Sequence, residues 1–323
     1  MSSEQGVLTI GVDLGGTKVE TALIDEFGNI VDSSRHPTDP KRGSAFVIAA
    51  IAESARKYLT GGKSAPKALG IGVAGQVETH SGVVRFAPNI AWKDVPLGDE
   101  LERALGIPVT VVNDVWAASW GEFSHGAGKG VDDLVCLFVG TGIGGGIVTH
   151  GRLLVGTSNS AGELGHTTVV AGGRKCHCPN YGCLEAYAGG WAIADRAKEA
   201  VIKNPEAGFA MVSRAGSVDN IVGATVSEAY HAGDLLAREI VKETGDYLAA
   251  GIVSIVNALN PSMLVLGGGI IEGMPDLFGM VEPIVRRRAL PPALECLQMC
   301  RAALENQAGV IGAAALARNK IPS

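Results

Sequence analysis

Leu8-Thr-Ile-Gly-Val-Asp-Leu14, Gly15-Gly-Thr17 and Val19-Glu-Thr-Ala-Leu-Ile24 read as an apolar strand, a glycine turn and a second strand. The same device returns about 127 residues later. There Leu134-Val-Cys-Leu-Phe-Val139 runs into Gly140-Thr-Gly-Ile-Gly-Gly-Gly146, with the next strand expected from Ile147 to Leu154. Two related halves follow from the repeat. Working outward, a turn over residues 25–29 leads to a strand at 30–31, and further strands are expected at 68–73, 109–112 and 263–266. Helical spacing marks 44–59, 115–123, 191–203, 226–231, 235–258 and 309–318. Strands alternating with helices predict an α/β fold.

The 323 residues are about two domains' worth of chain, and 46% hydrophobic content is enough for sizeable cores. Glycine supplies 45 residues, twice the usual share of about 7%, without a collagen period, so many tight turns are implied. The net charge of -6 would repel a polyanion, and no stripe of Lys and Arg with interleaved aromatics appears, so nucleic acid is not an expected partner. Met1-Ser-Ser-Glu-Gln carries no basic and apolar leader pattern. The uncharged stretch 247–271 is broken by Asn257, Asn260-Pro261 and Gly267-Gly268-Gly269, so it reads as a buried helix, a stop and a buried strand rather than a membrane span. A cytoplasmic location is expected, where clustered thiols bind metal more often than they form disulfides.

Three glycine turns follow apolar strands: Asp13-Leu-Gly-Gly-Thr-Lys18, Gly140-Thr-Gly-Ile-Gly-Gly145 and Leu266-Gly-Gly-Gly269. Each is a tight turn in the simplest reading; together they offer backbone N–H groups to phosphate oxygens, with Thr17 and Thr141 as added donors. Asp13 beside such a cradle suits a hydrated Mg²⁺. Gly62-Lys63-Ser64 is not a P-loop, because Lys57 stands where the motif needs glycine. Gly140, Gly142 and Gly145 satisfy GxGxxG, but the following residues read as a strand rather than a helix, which leaves a Rossmann oxidoreductase a weak alternative.

Asn113-Asp114 falls where a strand meets a helix. Asp114 reads either as the helix cap or as a base that takes a proton from an attacking hydroxyl. Gly162-Glu-Leu-Gly-His166 and Cys176-His-Cys-Pro-Asn-Tyr-Gly-Cys183-Leu-Glu185 hold three thiols and an imidazole within 18 residues. His166, Cys176, Cys178 and Cys183 make a complete Cys₃His set for structural Zn²⁺, which leaves no open position for chemistry. His177 competes as the fourth ligand, although adjacent ligands would strain the loop. Glu163 and Glu185 bracket the cluster and suit vicinal sugar hydroxyls. Cys136 lies in an apolar strand, and Cys296 and Cys300, read at helical spacing, are taken as packing residues.

These motifs, in this order over nearly the whole chain, resemble the ROK family of sugar kinases and sugar-responsive repressors, within the actin-like, hexokinase-like ATPase superfamily with its ribonuclease H-like domains. The zinc segment is the most specific of them; Pro179 stands where the family usually has glycine. The resemblance implies two α/β domains with a cleft between them. The expected boundaries are 1–118 with the C-terminal helix 308–323 for the small domain, and 119–307 for the large one. It implies ATP phosphates on Asp13, Gly15, Gly16, Thr17, Lys18, Gly140, Thr141, Gly142 and Gly144, with adenosine near Gly267, Gly268 and Gly269. It makes Asp114 the general base and Asn113, Glu163, His166 and Glu185 sugar contacts, with His166 serving zinc and sugar through different ring nitrogens. Gly75, Gln76 and Asn89 fall where the family's small domain reaches the sugar.

The implied reaction is γ-phosphoryl transfer from Mg·ATP to the 6-hydroxyl of a hexose. Glucose comes first, because Phe86-Ala-Pro-Asn-Ile90 and Trp92 resemble the segment in the family's glucose kinases. N-acetylglucosamine, N-acetylmannosamine and fructose stay as alternatives. A homodimer or dimer of dimers is the expected assembly. A regulator is disfavoured because the first phosphate motif begins at Gly11, and an actin-like ATPase without sugar is disfavoured by Glu163, His166 and Glu185.

Overall fold

A computed structural model describes residues 6–60, 65–319 and 321. The readings of Met1-Ser-Ser-Glu-Gln and Gly62-Lys63-Ser64 lie outside the described residues. The chain divides into two compact units: Met1–Asp132 with Gly146–Ala161 and Ala303–Ser323, and Asp133–Gly145 with Gly162–Ala302.

The first unit holds β1 (Thr9–Leu14), β2 (Lys18–Ile24), β3 (Ile30–Pro37), β4 (Leu69–Val73), β5 (Gln76–Glu78), β6 (Val83–Ala87), β7 (Trp92–Val95) and β8 (Val109–Asn113). Five form a sheet in the order β3-β2-β1-β4-β8, and β5-β6-β7 form a small antiparallel one. β1 runs antiparallel to β2 and parallel to β4. The register sets Asp13 opposite Glu20 and Gly72, and Glu20 opposite Arg35. On one face Ile10, Val12, Leu14, Leu69, Ile71 and Val73 meet Val47, Ile48 and Ile51 of helix Ser44–Thr60 and Leu97 and Leu101 of helix Leu97–Leu105. Alternation along the strands and 3.6-residue spacing along the helices produce this core, at about 1.5–3 kcal/mol for each large side chain fully buried.

The other face receives helices Asp114–Ser124 and Ala308–Arg318, and it can do so because it is glycine-lined. A Cβ on Gly11 would lie 2.0 Å from the Val310 carbonyl oxygen, and one on Gly70 1.8 Å from that of Ala313. The two helices cross equally closely, at Gly121 and Gly312. The boundary expected at residue 118 would cut helix Asp114–Ser124; that close crossing keeps the helix whole in the first unit. Near its end the fully buried Glu122 accepts the N–H groups of Ala127, Ala303 and Leu304 at 2.9, 3.1 and 2.8 Å.

The second sheet contains β9 (Leu134–Val139), β10 (Ile143–Thr149), β11 (Arg152–Leu153), β12 (Met263–Gly267) and β13 (Gln298–Arg301). β12 runs parallel to both β9 and β13, and β11 pairs with the far end of β10. Two segments of this sheet differ from what their sequence predicts. β10 starts at Ile143, so Gly144-Gly145-Gly146 are strand residues rather than part of a turn. Gly145 is glycine because a Cβ would meet the Gly162 oxygen at 2.6 Å, and Gly146 because it would meet Ser119 Oγ at 2.0 Å. Cys300 lies in β13 and Cys296 is exposed, so the helix read through them is absent; parallel pairing to β12 decides the conformation of this short segment. Cys136 is buried in β9 as expected. Helix Leu235–Leu259 buries one stripe and stops at Asn260, which takes the left-handed conformation. No helix among the described residues is long and apolar enough to cross a membrane.

Candidate active site

In the first unit the turn after β1 closes with Gly15 N–H donating to the Lys18 oxygen at 3.0 Å. Asn89, in the 3₁₀ turn Pro88–Ile90, lies against this turn: a Cβ on Gly16 would sit 3.1 Å from Asn89 Cβ. Asp13 points from β1 on the same sheet face as Glu20 and Arg35. Burial, then Asp114 and then Glu20, push its carboxyl up to about 6, against the pull of Lys18 and Arg35. Arg35 grips buried Glu20 through two contacts of 2.9 Å. A carboxylate set that resists its own ionisation in this way is suited to a divalent cation.

Helix Asp114–Ser124 is capped by Asn113, not by Asp114. Asn113 Oδ1 accepts the N–H groups of Val115 at 3.0 Å and Trp116 at 3.1 Å, while its Nδ2 donates to the Gly75 oxygen at 3.1 Å. The cap relieves Asp114 of that duty and ties Gly75 to the end of β8. Gly72 gives Asp114 its room, since a Cβ there would lie 3.3 Å from Asp114 Cα. Gln76 is exposed in β5, on a cavity of about 220 Å³ shared with Glu78, Arg85 and residues 157–160. Asp13, Asp114, Asn113, Gly75 and Asn89 are therefore gathered around one end of one sheet.

In the second unit the turn after β9 closes with Gly140 N–H on the Gly142 oxygen at 2.9 Å. The carbonyls of Gly140 and Thr141 accept from Gly190 at 2.9 Å and Trp191 at 3.0 Å, the first amides of helix Gly190–Lys203. In a planar trans peptide the N–H opposes the C=O, so the Thr141 and Gly142 amides face the other way, as an anion cradle needs. Beside the turn lies a cavity of about 420 Å³ walled by Trp191, Ile221, Val222, Ala224 and Ile270. Adenosine is expected near Gly267–Gly269. Gly267 ends β12, Gly268 turns with φ 92°, and the next two residues bring Ile270 to the cavity. Trp191 and the 221–224 segment were missed; the available signal was Gly189-Gly190 ahead of a helix.

The Cys/His segment folds into a knuckle. The four ligand atoms of His166, Cys176, Cys178 and Cys183 lie within 4.8 Å of one another. Cys178 and Cys183 sulfurs are 3.6 Å apart, and His166 Nδ1 is 3.6 Å from the Cys176 sulfur. Four ligands at Zn–S lengths of about 2.3 Å place tetrahedral neighbours about 3.8 Å apart, so the donor set fits zinc. Burial and the neighbouring thiols push Cys183 up to about 12, so a dication is what would let these thiols ionise together. Pro179 causes no loss of ligands; the left-handed position in the loop is Gly182, φ 78°, where a Cβ would meet the Val170 oxygen at 1.7 Å. His177 stacks on Trp191, ring centroids 3.9 Å apart, and is no part of the cluster.

His166 Nε2 faces Glu163 at 4.0 Å, so its two nitrogens address the knuckle and Glu163 respectively. Glu185 Oε2 accepts the Ile143 N–H at 2.8 Å and its Oε1 accepts the Trp191 indole N–H at 3.2 Å. A Cβ on Gly142 would come within 2.4 Å of that carboxylate. The last residue of the knuckle thus also supports the second glycine turn.

A family model described as the ROK family matches residues 9–320. The chain is 37% identical over 307 residues to a glucokinase of Halalkalibacterium halodurans, covering 94% of this chain and 92% of that one. It is 36% identical to a glucokinase of Streptomyces coelicolor over 98% and 99% of the two chains. A crystal structure of a ROK family glucokinase from Streptomyces griseus in complex with glucose and AMPPNP superposes with a TM-score of 0.82 at 37% identity, covering 97% of this chain and 99% of that one. With its glycine turns, Asn113-Asp114 corner and cysteine knuckle all in place along that full-length match, the chain belongs to the ROK family.

Proposed function

We propose that this protein is an ATP-dependent glucokinase, transferring the γ-phosphoryl of Mg·ATP to the 6-hydroxyl of glucose. The observation that carries the reading is the junction at Glu185, one carboxylate that ends the knuckle and holds the second glycine turn through Ile143. Sugar-facing and phosphate-facing groups are thereby built on one support.

Asp114 orients the 6-hydroxyl and takes its proton as the oxygen attacks phosphorus. Glu163, His166 and Glu185 accept and donate to hydroxyls near the anomeric end, and Asn89, Asn113 and Gly75-Gln76 read the rest of the ring. Of the Asn113 amide, one Nδ2–H remains for this, since its oxygen already serves two cap amides. Amides of the turns at Gly15–Lys18 and Gly140–Gly144, with Thr17 and Thr141, offset charge on the transferring group. Asp13 would hold the hydrated Mg²⁺ that accompanies the nucleotide, which would offset phosphate charge. Adenosine lies in the cavity at Trp191 and Ile270. Zinc on His166, Cys176, Cys178 and Cys183, when bound, supplies rigidity rather than chemistry.

A coupled ADP-release assay over glucose, N-acetylglucosamine, N-acetylmannosamine and fructose tests the reading. Glucose is expected to give kcat/KM at least about tenfold above N-acetylglucosamine, or about 1.4 kcal/mol in transition-state binding. The reverse order overturns the substrate, and silence with all four sugars overturns the kinase.

A further inference from the structure

Both glycine turns hold their carbonyls on a neighbouring element, but by different means. The second turn uses two amides at the start of a helix. In the first, one residue does the work. Thr38, just past the end of β3 and 1% exposed, donates its N–H to the Thr17 oxygen at 3.1 Å and its hydroxyl to the Gly15 oxygen at 2.7 Å. These two bonds span the turn, from its first residue to its third. Because the Gly15–Gly16 peptide is planar and trans, a carbonyl held on Thr38 sends the Gly16 N–H the opposite way.

The surroundings leave little freedom for any other arrangement. Asn89 blocks one side of Gly16, and a Cβ on Gly15 would lie 3.3 Å from the Lys18 oxygen. Asp39, the next residue after Thr38, takes the left-handed conformation at φ 48°, ψ 58°, and the chain turns at once into the 3₁₀ segment Pro40–Arg42. A non-glycine residue held there needs support from its surroundings. Thr38 is also absent from every motif in the sequence, being 21 residues beyond Thr17 and short of the first helix.

We propose that Thr38 is a positioning residue of the phosphate-binding turn, whose side-chain hydroxyl aims the Gly16 amide at the nucleotide's phosphates. The proposal rests on the kinase reading for the identity of the ligand. Losing the hydroxyl leaves the Gly15 carbonyl short of a partner and lets the peptide rotate. The phosphate end of the nucleotide should feel this, and the base and the sugar substrate should not.

The test compares Thr38→Val, which keeps the volume without the donor, Thr38→Ser, which keeps the donor, and Thr38→Cys, which keeps a weak donor. Calorimetric titrations with a non-hydrolysable ATP analogue plus Mg²⁺ and with adenosine are set beside KM values for ATP and glucose. Expected for Thr38→Val is a loss of about tenfold in analogue affinity and a matching rise in KM for ATP. Adenosine affinity and KM for glucose should stay within about twofold of wild type, and Thr38→Ser should recover most of the loss. If Thr38→Val does not fold, Thr38→Cys should show the same split at smaller size.

Unchanged analogue binding in Thr38→Val or Thr38→Cys overturns the proposal. So does an equal loss for adenosine and analogue, or a serine variant as weak as valine, since those mark a packing role. A wild-type chain that binds the analogue but phosphorylates no sugar defeats the kinase reading and leaves the binding comparison to decide on Thr38. A wild-type chain that does not bind the analogue defeats both.

Discussion

Glu185 Oε2 accepts the backbone N–H of Ile143 at 2.8 Å, so a carboxylate expected to hold sugar is also a strut of the phosphate-side turn. Glu185→Gln keeps the size but turns one of two acceptor oxygens into a donor, and it cannot serve both Ile143 and the Trp191 indole. KM for glucose should rise at least about tenfold and KM for ATP at least about threefold. An unchanged KM for ATP would show that the strut is idle.

Asp114→Asn should lower kcat by at least about 10²-fold with sugar binding largely kept. Asn113 carries the helix cap, so the substitution leaves the cap hydrogen bonds of helix Asp114–Ser124 in place. A variant that keeps more than a tenth of wild-type kcat, with chemistry limiting the rate, removes Asp114 from the role of base.

Zinc analysis of freshly purified protein should find about one ion per chain. Cys178→Ser, or a strong chelator, should release it and raise KM for glucose through misplaced His166, Glu163 and Glu185. Freshly purified protein without zinc and with three titratable thiols in the knuckle ends the structural-zinc reading.

Asp13 carries the cost of its position. Its carboxyl is raised from 3.8 to about 6 on folding, so the native state resists the ionisation that the unfolded chain accepts. Stability present below 3.8 is therefore lost as pH rises through about 6 and stays lost above it. Without divalent metal, Asp13→Asn should be the more stable protein at pH 8, by up to about 3 kcal/mol in urea unfolding, and the gap should shrink as pH falls toward 4. A gap that is independent of pH, or in favour of the wild type, contradicts this account.

What sequence could reach was set by range. Leu8–Ile24, the repeat at Leu134 and the Cys176–Cys183 knuckle are each complete within a few residues, so periodicity and ligand spacing carry their structure. Segments whose conformation is decided elsewhere were not legible. β13 is a strand because it lies along β12, although Cys296 and Cys300 have helical spacing. The short helix Phe209–Ala215 buries only Met211 among its side chains and so offers almost no stripe to read. At the site, Glu185 was found through the knuckle, but its bond to Ile143, 42 residues away, and the Trp191 wall are tertiary. Thr38 was invisible for the same reason, since a threonine between a strand and a turn carries no pattern of its own.

The glycine-lined face of the first sheet has a consequence for how the chain is made. Its covering helix, Ala308–Arg318, is synthesised long after β1 and β2, and its Arg318 reaches back to Thr9 Oγ1 at 2.7 Å and the Asp25 oxygen at 2.6 Å. Those contacts join residues 309 and 293 positions apart, so their loop-closure entropy is high and is settled late in folding. The first unit is thus completed only once this helix has been made, and until then helix Asp114–Ser124 covers the face of β1, β2 and β4 only in part. The intervening segment, whose residues 162–302 emerge as one block, has time to fold beforehand. A chain that lacks helix Ala308–Arg318 should accordingly lose the cover of the first sheet while keeping the knuckle.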